Sequence, residues 1–302
     1  MSIKANLRAR QRRRRIMWIS IAAVMVALLV VVYFIAAASS DPYTKYIGEP
    51  VSSTIIQQIT GVSDSTLNAI GTPSGVSAPV TISGSALTSG GKPEVLYIGG
   101  EFCPFCAIER WAIIVALSHF GKFTGLEYML SSSTDVNPNT PTFTFAHANY
   151  TSGYISFVAV EEYGRAGTSD VRQTLTSAQT SLVAQYDTCS ATGTTGGIPF
   201  IDIANQYAVN CGAQFQLPAI AGGNWSQVAS VLNDPSSSYA QLIDGAANYL
   251  ISAICNVDGG QPGSVCGQGY ATATLSYSQT SSLTSTSLFT VPVRNSNPRW
   301  TV

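Results

Sequence analysis

The sequence predicts a mixed α/β domain held outside a membrane by a single N-terminal helix. Three observations predict it: an uncharged apolar run, Ile16 to Ala38, sits behind a basic cluster; short strand-like runs alternate with helical patterns after it; and all six cysteines follow it.

Of fifteen Lys and Arg residues, seven lie in the first fifteen positions, and residues 1–15 read as a cytoplasmic tail. At 1.5 Å per residue the run 16–38 makes a helix of roughly 35 Å, enough for a hydrocarbon core of about 30 Å. The basic flank favours a cytoplasmic N-terminus, so the chain after Ala38 is expected to be extracytoplasmic, behind a single-pass signal anchor in the cell membrane. The small residues at Ala36–Ala38 leave a cleaved signal peptide as the alternative, although its apolar region is usually only about 7–15 residues. The arginines meet anionic lipid headgroups; the external part holds all sixteen Asp and Glu against eight basic residues, so nucleic acid is not an expected partner.

Residues 39–90 read as a stalk that becomes the first layer of the domain, with short helical patterns in "VSSTIIQQIT" and "DSTLNAI" and a strand in "APVTIS". "KPEVLYIGG" has the composition of a buried strand ended by glycines. "CPFCAIERWAIIVALSHFG" is apolar on nearly every face and predicts a buried helix stopping at Gly121, and "LEYMLSSS" is the expected parallel partner of the first strand. Residues 137–196 read as an insertion carrying a strand, "YISFVAV", and a helix in "SDVRQTLTSAQTSLVAQY". "GGIPFIDIANQYAV" predicts a hairpin, followed by helices around "WSQVASVL" and "YAQLIDGAANYLISAIC". The tail, 269–302, is Ser and Thr rich and is expected to be disordered.

Cys103 and Cys106 lie one helical turn apart at the start of the long helix, on one face and close enough for a disulfide. There the unpaired N–H groups and the helix dipole favour a thiolate, which makes Cys103 the candidate nucleophile. Pro104 is tolerated in the first turn because its missing N–H has no partner there. A zinc site lacks a second closely spaced pair, so no metal is expected, and His119 lies too far along the same helix to serve as a base. A purely structural Cys103–Cys106 bridge stays open. Six cysteines allow 15 connectivities. Cys189 and Cys211 flank the hairpin, and Cys255 with Cys266 would close a short loop, so these four read as structural bridges; a second redox pair at Cys189 and Cys211 is the alternative. Glu101, two residues before Cys103, is a possible acid or base, whereas Glu109 reads as a solvated surface carboxylate.

Strand, glycines, "EFCPFC", buried helix and the later "GGIPF" together resemble the thioredoxin superfamily. The run "KPEVLYIGGEFCPFCAIERWAIIVALSHFG" is similar to an uncharacterised group of membrane-anchored thioredoxin-fold proteins of archaea and actinobacteria. The resemblance implies a thioredoxin-like fold over residues 91–268, with the insertion lying before a cis-Pro hairpin. It makes Pro199 the cis-proline that faces the thiols and keeps metals away, Ile198 the backbone partner of an extended substrate, and Phe102, Pro104 and Phe105 the flanking substrate contacts. It further implies a thiol-disulfide oxidoreductase of unresolved direction, without cofactor, acting on protein thiols or disulfides together with a membrane redox partner. A non-catalytic adaptor of the same fold is the rival expectation.

Overall fold

The computed structural model describes residues 3–38, 41–189, 193–216, 220 and 223–275. Helix α1 (Ile3–Ala38) contains the stretch Arg12–Tyr33, long and apolar enough to cross a membrane, and its apolar side chains stand exposed, Trp18 and Tyr33 among them. Next come α2 (Ser53–Thr60) and α3 (Asp64–Ile70), whose first turns are capped by the Ser52 and Ser63 hydroxyls. The expected stalk is short, because Tyr43 and Ile47 already lie against the core, and Ile55, Ile59 and Leu67 are buried in it.

The remaining elements are β1 (Val80–Thr81), β2 (Thr88–Ser89), β3 (Lys92–Gly100), α4 (Pro104–Ser118), β4 (Gly121–Thr124), β5 (Glu127–Leu130), β6 (Pro141–Thr144), β7 (Asn149–Ser152) and β8 (Ser156–Tyr163). After them follow α5 (Ser177–Tyr186), β9 (Thr188–Cys189), β10 (Thr194–Thr195), β11 (Phe200–Ile203), β12 (Tyr207–Val209), α6 (Trp225–Ala229), α7 (Ser238–Val257) and α8 (Gly263–Cys266). The main sheet is mixed. Strand β3 is flanked by β8 in parallel and β11 antiparallel, and β12 and β1 continue beyond β11.

Alternation along β3 explains its central place. Val95 and Tyr97 enter the core shared with α4 and α7, while Leu96 and Ile98 enter a second core that Leu182, Val183 and Tyr186 of α5 cover. The hairpin β11–β12 turns through Ala204 and Asn205, both in the left-handed region.

Two sequence expectations need correction. The parallel partner of β3 is β8, not the "LEYMLSSS" strand: β5 pairs with β6 in a separate two-stranded sheet. A strand inside a covered sheet needs apolar side chains on both faces, and β8 supplies Phe157 and Ala159 to one core and Val158 and Val160 to the other. Consequently residues 137–196 are not one insertion, since they contain a strand of the main sheet. The extra structure before β8 is the pair of two-stranded sheets β4–β7 and β5–β6; β6 is seated on α4 by Trp111 Nε1, which donates to the Pro141 carbonyl at 2.9 Å, and Thr142 Oγ1, which donates to Ala107 O at 2.7 Å, and β7 by the Tyr150 hydroxyl, which donates to Leu117 O at 2.8 Å.

The predicted helix from 169 narrows to α5, where Thr176 and Gln179 form a capping box. Helix α4 stops before Gly121, which instead opens β4; a Cβ there would strike the Thr151 carbonyl and the Tyr150 ring. At the other end, Tyr270 and Ala271 are buried, so packed chain continues past position 269, whereas the expected tail from 276 onward lies outside the described residues.

Cys255 and Cys266 are bonded across 11 positions and tie α7 to α8. Replacing both by alanine is expected to lower unfolding free energy by about 3 kcal/mol, from the lost constraint on the unfolded chain, as read by urea denaturation. A midpoint unchanged from the parent would remove this bridge from the stabilising contacts.

Candidate functional site

Strand β3 ends in Gly99–Gly100, where its register against β8 shifts. A Cβ on Gly99 would collide with the Tyr97 ring, so the chain leaves the sheet here only with glycine. The turn then delivers Cys103 as the N-cap of α4 and Pro104 as a first-turn residue. The Cys103 sulfur accepts the N–H of Cys106 at 3.3 Å, taking the place of a capping oxygen.

Both thiols are free and buried, Cys106 wholly and Cys103 with 5% of its surface exposed. Hydrogen bonding from the Cys106 thiol, the N–H of Cys106 and the charge of Arg110 hold the Cys103 thiol below its ordinary value against the opposing effect of burial. Burial, followed by its bond to Cys103 and the charge there, pushes Cys106 well up. The two sulfurs are thus unequal: the first is the better thiolate, the second the retained thiol.

The Ile198–Pro199 peptide is cis, and its loop faces the pair: Cys103 Sγ donates to Ile198 O at 3.6 Å. Phe102 packs edge-on against Tyr163 at 6.1 Å and is half-buried, as is Phe105. Beside Phe105 and Ile198 lies a cavity of about 450 Å³, whose wall also includes Asp187, Gly197 and the Cys189–Cys211 bridge. The Asp187 carboxyl is pushed up to about 6 by burial.

Glu101 is buried and accepts the Thr144 hydroxyl at 2.7 Å; its hydrogen bond goes there and not to either thiol, and burial raises its carboxyl. Glu109 is wholly buried, which corrects the expectation of a solvated carboxylate: it faces the core, where Oε2 accepts the N–H of Gln214 at 2.9 Å. Sequence reasoning also passed over the Arg110–Glu161 ion pair, fully buried beneath the thiols, with Arg110 Nε donating to Oε1 at 2.9 Å and Nη2 to Oε2 at 2.7 Å. The available signal was an arginine inside the apolar helix "AIERWAIIVAL", four residues after Cys106. His147 lies against Glu127, its Nδ1 at 3.2 Å, and among the described residues no group of His, Cys, Asp or Glu gathers as a metal centre would require.

Glu109 gives a test of the buried-acid reading. Burial raises its carboxyl from 4.5 to about 7, so the folded chain keeps a proton that the unfolded chain releases. That contribution is whole below about 4.5 and is lost as pH rises through about 7. Glu109→Gln is uncharged throughout, so relative to the parent it should gain on the order of 2–3 kcal/mol of stability between pH 5 and pH 8, measured by denaturant unfolding at each pH. A pH-independent difference would place an ionised, satisfied carboxylate at this position.

Comparison with known proteins yields one family match, described as "Domain of unknown function (DUF929)", over residues 78–256. No curated protein and no solved structure matches the chain. The matched segment runs from just before β1 to the end of α7 and includes the thiols, Arg110, Glu161 and the cis-proline loop. Since it covers more than half of the 302 residues, the chain belongs to the DUF929 family.

Proposed function

We propose that this protein is a membrane-anchored, extracytoplasmic thiol-disulfide oxidoreductase working through Cys103 and Cys106, on a thioredoxin-like fold. The observation that carries the reading is Cys103 itself: an N-cap sulfur, one turn from a second free thiol and opposite the cis-Pro199 loop. The strand order β8-β3-β11-β12, parallel then antiparallel, with α4 and α7 packed against each other over one face, supports the thioredoxin resemblance. The basic residues before the apolar segment support a cytoplasmic N-terminus, and two disulfides support an oxidising location for the rest.

With the pair oxidised, a substrate thiolate attacks the Cys103 sulfur, the Cys103–Cys106 bond breaks and Cys106 leaves with the electron pair and takes up a proton. The second thiolate of the substrate attacks its own disulfide-bonded sulfur and releases Cys103. The substrate loses two electrons and gains a disulfide, and the pair becomes the dithiol. Run backward, the same steps reduce a protein disulfide.

A second reading, a non-catalytic adaptor or binding module in a membrane assembly, is favoured by one observation, the cover over Cys103. Alkylation of the reduced chain separates the two. The oxidoreductase reading expects Cys103 to react with a pH midpoint below the ordinary thiol value of about 8.5, and Cys106 to remain unmodified across neutral pH. It also expects Cys106→Ala to accumulate a mixed disulfide with a disulfide-bearing protein, and Cys103→Ala to form none. Absence of both reactions at Cys103 in the folded chain would leave the adaptor.

A further inference from the structure

Arg110 is costly where it stands. It is wholly buried, on a helix whose buried side chains are apolar apart from Glu109 and the thiols, and an ion pair in such surroundings contributes little over well-packed apolar side chains. Its contacts are lopsided. Nε and Nη2 go to Glu161, Nη2 also donates to Gly100 O at 2.9 Å, and the Tyr97 ring lies 5.7 Å below the guanidinium, yet Nη1 is buried without a partner. Glu161 is more fully used, since its Oε1 also accepts the N–H of Phe145 at 3.3 Å.

Position 110 is four residues beyond Cys106 and shares its helix face. The field of the guanidinium favours the ionised form of both sulfurs, and at Tyr97 and Glu101 it is opposed by that of Glu161. The positive member of the pair thus stands on α4, the helix of the thiols, and the negative member on β8. The titratable groups around the sulfurs are Arg110 on α4, Glu161 on β8, Tyr97 on β3 and Glu101 in the turn before Cys103; Tyr97 is a buried phenol with an unpartnered hydroxyl.

We propose that Arg110, aimed by Glu161, is the resident counter-ion of the thiol pair: a positioning residue that holds the negative charge of Cys103 at rest and of Cys106 when it resolves a mixed disulfide. The second role deepens the oxidoreductase reading and rests on it. When the chain reduces a protein disulfide, Cys106 attacks Cys103 as a thiolate; the bond from Cys103 to the substrate breaks, the substrate sulfur leaves with the electron pair and takes up the proton that Cys106 gave up, and the pair is left oxidised. Wholly buried, Cys106 has no solvent to carry the charge of that step, and an N–H donor one turn away supplies the means.

The test is a thiolate titration of the full chain in detergent, by ultraviolet absorbance, with Cys106→Ala as background. Arg110→Met combined with Glu161→Gln, which leaves no lone buried charge, should raise the Cys103 midpoint by about one pH unit. Glu161→Gln alone, which keeps the guanidinium and weakens its counter-charge, should lower it, and Arg110→Lys should hold it near the parent. Opposite signs are the signature, because damage to packing would move both variants in one direction. With Cys106 present, release of a small thiol from a mixed disulfide at Cys103 should slow about tenfold in the double variant, equivalent to about 1.4 kcal/mol. Midpoints unmoved in the double variant and in Glu161→Gln, or moved alike in these two with circular dichroism that matches the parent, would overturn the proposal. If the double variant fails to fold, Glu161→Gln decides: a lowered midpoint supports the proposal, and an unmoved or raised one overturns it. A parent chain that exchanges no disulfide would sink the oxidoreductase reading, while the titration would still decide whether Arg110 sets the charge on Cys103.

Discussion

A guanidinium enclosed in an apolar helix has to find a carboxylate, and the search for that partner constrains much of this molecule. Arg110 on α4 reaches across to Glu161 on β8 and back to the Gly100 carbonyl at the end of β3. One side chain thereby links the helix that carries the thiols, the strand that precedes them and the parallel strand beside it. Breaking one partner would strand a buried charge, a cost of about 3–5 kcal/mol, so the geometry of the pair is firmly held. The turn that presents Cys103 is fastened on the same side, by the N–H of Glu101 to the Tyr163 carbonyl at 2.8 Å and the N–H of Ser132 to the Phe102 carbonyl at 2.8 Å.

Burial acts on the two sulfurs in one direction and local donors act in the other. Cys103, at the tip of the helix, receives an N–H and a thiol proton, which outweigh its desolvation; Cys106, deeper by one turn, has no such surplus and is held as the thiol. The two sulfurs therefore differ in their hold on a proton. The loop of Ile198 and Pro199, whose Ile198 carbonyl accepts from the Cys103 sulfur, lies next to the cavity that borders Phe105.

The Cys189–Cys211 bridge pins the end of β9 to the chain just after β12, in the wall of that cavity, and Cys255–Cys266 closes the end of α7. The first thus shapes that cavity, and the second holds the far end of the helix that packs on α4. The small sheets β4–β7 and β5–β6 bury the outer side of α4 through Trp111, Phe143 and Phe145, which is why this helix needs apolar residues all round.

Patterns local in the chain were readable without coordinates. The charge-free run of α1, the strand "KPEVLYIGG", the buried helix and the hairpin at "GGIPF" each owe their form to side-chain period, glycine and proline, all of which act over a few residues. The position of Cys103 at a helix start belongs with them. Which strand lies beside β3 did not, because β5 and β8 are both short apolar runs and the choice rests on which one finds an apolar layer on each of its faces. Nor did Glu109 and Glu161 show themselves as buried, since a carboxylate in sequence carries no mark of the partner that will desolvate it. The sequence by itself determined a membrane-length helix, an α/β order of elements and a dithiol at the tip of one helix. The tertiary structure alone decided which acids are sealed inside and where the arginine points, since charges meet through space and Arg110 and Glu161 lie 51 residues apart in the chain.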